Sequence, residues 1–114
     1  MALPKFLQTY LPSYDISKMD LHHPEDRQEI ITQILNYGGR KDVLWLFRTY
    51  NPEEIKEVIS HPKRGCWQER ALNYWTKVFN IKLPRIIYEV AIFSLQPRPK
   101  LMARYFKFKQ KVIR

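Results

Sequence analysis

Glycines and prolines punctuate this chain into segments whose apolar residues recur at helical rather than strand spacing. The clearest segment is residues 24–37. Pro24 suits the first helical position, and Glu25, Asp26 and Glu29 favour the positive end of a helix dipole. Ile30, Ile31, Ile34 and Leu35 share one face, and Gly38-Gly39 is expected to supply a left-handed stop. A second helix is expected over residues 41–50. Its VLWLF run would also suit a buried strand, but its place between a glycine stop and an Asn-Pro start favours helix. Asn51-Pro52-Glu53-Glu54 opens a third, with Asn51 as the cap and Glu54 reaching back as a capping-box carboxylate. Ile55, Val58 and Ile59 form its inner face, and it ends before Pro62.

The longest amphipathic stretch is 67–79. There Trp67, Ala71, Tyr74, Trp75 and Val78 fall on one face, and Asn80 closes the helix. Pro84 opens the next, expected to run to about residue 95. IIYEVAIF is apolar nearly all round, with Arg85 and Glu89 as its one polar stripe, so it is either central in a core or covered by a partner. Its β-branched residues leave a strand reading open. Ahead of all these, residues 1–23 hold a short turn at 5–10. An irregular lead-in follows, anchored by Leu11, Tyr14, Ile16, Met19 and Leu21.

Gln96-Pro97-Arg98-Pro99 breaks the chain before a distinct tail. Leu101, Tyr105, Phe108 and Val112 make one stripe at about 100° per residue, widened by Met102, Phe106 and Ile113. Lys100, Arg104, Lys107, Lys111 and Arg114 make a second, and only Lys109 fits neither. The expected fold is all-α: a single compact domain of five to six short helices, with a basic amphipathic C-terminal helix. The helical body is residues 1–97 and the tail 98–114.

Composition agrees with a folded domain. The chain has 114 residues, 45% hydrophobic and 14% aromatic, which excludes the disordered class and leaves little room for a second domain. No apolar run approaches the ~20 residues of a membrane-spanning helix, and the N-terminus lacks the pattern of a signal peptide. The single cysteine, Cys66, excludes an intramolecular disulfide and points to a reducing cytoplasm. Charge changes the picture most. Residues 98–114 carry Arg98, Lys100, Arg104, Lys107, Lys109, Lys111 and Arg114 with no acid, leaving only +2 of the net +9 to residues 1–97. Such asymmetry implies an anionic partner: nucleic acid, an acidic protein surface or a membrane face.

Catalytic chemistry finds no footing. His22, His23, His61 and Cys66 show none of the paired spacings that bind zinc, so neither metal nor cofactor is expected. Asp15, Asp20, Glu25 and Asp26 cluster as a metal-dependent nuclease would need, yet each suits a turn or a helix start. No phosphate-binding glycine loop and no nucleophile elbow is present. The chain is therefore read as a non-enzyme with no small-molecule substrate. Lys63-Arg64 followed by Arg70, Asn73 and Lys77 suits phosphate contacts, so a helix-turn-helix is conceivable, although the link at 61–66 exceeds its usual turn and Glu69 shares the face. Arg70 and Lys77 also read simply as a solvated face. The tail carries the best functional signal. Tyr105, Phe106, Phe108 and Val112 are candidate partner-binding residues; Lys63, Arg64, Arg70, Lys77, Lys100, Arg104, Lys107, Lys109, Lys111 and Arg114 are candidate nucleic-acid or anion contacts. The tail also reads as a helix docked on its own domain, or lying on an anionic membrane; of these partners, a membrane is the least favoured.

The stretches ITQILNYGGRKDVLWLFRTY and EEIKEVISHPKRGCWQERALNYWTKVF, with LPSYDISKMD before them, resemble a family of small uncharacterised prokaryotic proteins often encoded beside nucleotidyltransferase toxins of the abortive-infection class. The resemblance spans roughly residues 10–95, and RGCWQERALNYW is its most distinctive run. It implies an antitoxin that restrains a neighbouring nucleotidyltransferase toxin by direct protein–protein contact. The tail lies outside it. A small nucleic-acid-binding module, using the tail and the Lys63-Arg64 region, is the alternative.

Overall fold

A computed structural model describes residues 3–113, apart from the side chains of Val112 and Ile113. Among these residues the chain is all-α, with no strand. Seven α-helices are present: α1 (Leu7–Tyr10), α2 (Pro24–Tyr37), α3 (Arg40–Thr49), α4 (Pro52–Ser60), α5 (Glu69–Val78), α6 (Arg85–Ala91) and α7 (Pro99–Ile113). That is more than the five or six expected, because the lead-in contributes α1. Among the described residues no helix is long and apolar enough to cross a membrane. The chain divides into two compact units, residues 1–58 and 59–114, with α4 running across the division.

In the first unit, α2 forms over the residues its pattern predicts, and Ile30, Ile31, Ile34 and Leu35 are all buried. Leu7, Leu11, Met19 and Leu21 of the lead-in are buried as well, whereas Tyr14 is exposed. Tyr50 lies 1% exposed, and its hydroxyl donates to the Leu21 carbonyl at 2.8 Å, tying the lead-in down. The capping box forms as expected. The Glu54 amide donates to Asn51 Oδ1 at 2.9 Å, and the Asn51 amide donates back to Glu54 Oε1 at 3.1 Å. The second Glu54 oxygen pairs with Arg27 at 3.2 Å.

One expectation fails at the end of α2. Gly38 and Gly39 have φ of −71° and −76°, extended rather than left-handed. Close approach explains Gly38 instead: a Cβ there would sit 2.6 Å from the Ile34 carbonyl oxygen and 2.9 Å from Ile34 Cγ2. The VLWLF run is helical, and only Leu46 within it is fully buried.

In the second unit, α5 starts at Glu69, not Trp67, and its inner stripe is rotated from the expected one. Leu72 and Thr76 are buried, while Tyr74 and Val78 stand 58% and 53% exposed. Thr76 tolerates burial because its hydroxyl donates to the Leu72 carbonyl at 2.8 Å. Trp67 is fully buried, held by backbone pairing: its amide donates to Ala91 O at 3.0 Å and its carbonyl accepts from the Phe93 amide at 2.8 Å. Asn80 ends α5 as expected, at φ 54°, with its own amide bonded to Lys77 O and that of Ile81 to Thr76 O, a Schellman arrangement.

Helix α6 stops at Ala91 rather than near residue 95. The chain turns extended at Ile92, where it bridges Trp67, so the strand tendency of these β-branched residues survives as one isolated bridge. Val90, Leu101 and Tyr105 are buried together, with Ile86, Ile87 and Met102 packed around them, so α7 docks on α6.

Candidate functional site

The chemistry-bearing residues that the fold brings together lie in the second unit, where the 60–65 link passes α6 and α7. The link is fixed by Gly65, at φ 69°, a left-handed position that disfavours a side chain. The Gly65 amide donates to the Val90 carbonyl at 3.0 Å, pinning the link to the end of α6. These constraints set Arg64 beside α7. Its guanidinium carbon lies 5.5 Å from the Tyr105 ring centroid and 5.7 Å from that of Phe106, within cation–π range. Lys109 Nζ approaches the same Tyr105 ring at 5.9 Å.

Two clefts flank Arg64. One, of about 320 Å³, is walled by the link, by Pro84 and Ile87, and by Tyr105, Phe108 and Lys109. The other is a shallower groove between Lys63, Arg64, Arg98 and Met102. Among the described residues no carboxylate side chain lines either cleft. Arg64 and Lys109 are thus gathered at aromatic faces beside these clefts, an arrangement suited to anions.

The predicted site residues part company here. Tyr105 is 8% exposed and belongs to the core; Phe108 is half-buried and lines the cleft; Phe106 is 53% exposed. The side chain of Val112, and Arg114, lie outside the described residues. Lys100, Lys107, Lys109 and Lys111 are exposed along α7, and Arg104 pairs with Glu89 at 3.8 Å. Arg70 and Lys77 are exposed on α5, on another element from the clefts. A helix-turn-helix is not formed by α4 and α5: residues 61–68 separate them, and Trp67 within that link pairs with Ile92.

Sequence reasoning missed the part played by Pro84, Ile87 and His61 in the cleft, since no spacing links residues so distant along the chain. It also missed Arg98. That side chain donates to the Glu89 carbonyl at 3.0 Å and the Ile92 carbonyl at 2.9 Å, satisfying the open end of α6.

Elsewhere the acids of the lead-in are engaged with backbone. Asp15 accepts from the Ser17 amide at 3.0 Å, Asp20 from the His22 amide at 2.9 Å, and Asp26 from the Asp20 amide at 2.9 Å. Among the described residues, no three His, Cys, Asp or Glu side chains gather as a metal site. Tyr10 donates to the Asp42 carboxylate, which together with burial raises its phenol above the ordinary range.

Residues 11–59 match a family of unknown function (DUF6922). No curated protein and no solved structure matches the chain. The matched stretch covers the first unit from Leu11 onward and ends before the link, the clefts and α7.

Proposed function

We propose that this chain is a non-catalytic, antitoxin-like protein that restrains a partner nucleotidyltransferase by direct contact. The resemblance of residues 10–95 to proteins encoded beside such toxins supplies the partner. The observation that carries the reading is the outer side of α7. Phe106 stands exposed on a helix that also carries exposed Lys100, Lys107 and Lys111, in a segment without a single acid. Metal-dependent nucleotidyl transfer relies on metal ions held within a cleft, commonly by carboxylates. A basic helix with an aromatic anchor complements such a cleft in charge and shape. Where the adjacent gene encodes a nucleotidyltransferase, co-expression should relieve that enzyme's toxicity, and the two should co-elute on size exclusion. A neighbour that is harmless alone, or a pair that stays apart at about 0.5 M salt and below, rejects the reading.

A second reading, nucleic-acid binding, is favoured by Arg64, whose guanidinium rests on aromatic rings beside clefts that no acid lines among the described residues. Phosphate contacts release counterions, so engagement of five cations would give a log–log salt slope of roughly −4 to −5 on duplex DNA. Replacing Lys107 and Lys111 by alanine should flatten that slope by about 2. A slope near zero rejects this second reading.

A further inference from the structure

The cleft of about 320 Å³ beside Arg64 combines two features that neither reading above requires. Its lining is apolar at Pro84, Ile87 and Phe108 and cationic at Arg64 and Lys109. Both cations lie within 6 Å of one ring centroid, at 5.5 and 5.9 Å, although like charges repel. The Tyr105 face offsets part of that repulsion, and a bound anion would remove the rest. Arg64 takes part in no ion pair among the described residues, so its planar fork of donors is open to a phosphate. Ligand pockets begin at about 300 Å³, which gives this cleft room for one nucleotide and not two.

We propose that this cleft binds a single nucleoside monophosphate unit, with the phosphate at Arg64 and Lys109 and the base against Phe108 and Ile87. The unit comes either from a free nucleotide or from one residue of a single strand. In the second case the inference rests on the nucleic-acid reading and gives it a specific pocket. Flat bases stack on aromatic side chains whatever their sequence, so base discrimination is weak.

The test is titration calorimetry of the full chain at low salt with adenosine monophosphate, uridine monophosphate, adenosine, inorganic phosphate and a short single-stranded oligonucleotide. Both monophosphates should saturate, at least about tenfold more tightly than adenosine or phosphate alone. Arg64→Gln and Lys109→Gln should each weaken them about tenfold while leaving the melting temperature near that of the wild type. Arg64→Lys keeps the charge but loses the fork, and should fall between. Phe108→Leu should weaken the monophosphates and leave phosphate unchanged, whereas Arg70→Gln should do nothing.

An oligonucleotide that binds more tightly than the monophosphates, and weakens with the same substitutions, identifies a strand as the source. Absent oligonucleotide binding identifies a free nucleotide and removes the nucleic-acid reading while keeping the pocket. No saturation by about 5 mM monophosphate overturns the inference. So does phosphate binding as tightly as the nucleotides, or indifference to both glutamine variants. Oligonucleotide binding that persists in those variants would then leave the nucleic-acid reading standing on the lysines of α7 alone.

Discussion

Arg98 donates both of its terminal nitrogens to the end of α6, reaching the Glu89 carbonyl at 3.0 Å. One of the seven tail cations is thereby a structural group rather than a free charge, and it sits where a helix end carries partial negative charge. Arg98→Ala leaves two carbonyls to water and should cost about 1–3 kcal/mol in urea unfolding, in line with hydrogen bonds to a charged donor. Lys107→Ala, on an exposed position, should stay within about 0.5 kcal/mol of the wild type. Equal effects from the two would contradict the assignment.

The apolar stripe of α7 divides in the same way. Leu101 is 8% exposed within the Val90–Tyr105 cluster, whereas Phe106 is 53% exposed. Leu101→Ala should therefore destabilise by about 2–4 kcal/mol, and Phe106→Ala by less than about 0.5. Partner affinity should respond in the opposite order, with Phe106→Ala costing about 2 kcal/mol if it is the anchor. Truncation after Gln96 is a poor probe of binding here, because it removes part of a core.

Gly38 and Gly39 form a matched pair for a backbone test. A methyl at Gly38 meets the Ile34 carbonyl at 2.6 Å, while one at Gly39 meets nothing within 4 Å. Thermal melts should show Gly38→Ala losing about 1–3 kcal/mol through overpacking. Gly39→Ala should be neutral or stabilising by up to about 1 kcal/mol, since its φ suits any residue. Similar losses at both positions would contradict the close-approach account.

Tyr50 gives the first unit a pH dependence. Burial pushes its phenol well above the ordinary value, with the Glu54 carboxylate adding to the rise. In the unfolded chain the same phenol ionises near pH ~10. Above that pH the unfolded state gives up a proton that the folded state retains, so stability contributed by neutral Tyr50 is full below about pH 10 and falls as pH rises. Tyr50→Phe leaves the Leu21 carbonyl unpaired and should cost about 1–3 kcal/mol at pH 7. Its deficit against the wild type should shrink between about pH 10 and 11, measured by urea unfolding at each pH. A constant deficit would mean that the hydroxyl is not shielded from base.

The sequence by itself determined the helical class, the span of α2, the capping box at Asn51 and Glu54, and the Asn80 closure of α5. These depend on residues within one or two turns of each other, where propensity and local hydrogen bonds decide. It also determined the acid-free charge of residues 98–114, since charge is counted and not folded. Tertiary structure decided the rest. Which face of α5 turns inward followed from a helix that starts at Glu69, with Trp67 held outside it by pairing to 91–93. The extended ending of α6 followed from the same pairing. Tyr105 became core, Phe106 surface and Arg98 a cap because α7 packs on α6, and periodicity alone does not say which half of an apolar stripe a neighbour will cover. The cleft depended most on the fold, for its walls come from the 60–64 link, α6 and α7, and only long-range contacts bring those three segments together.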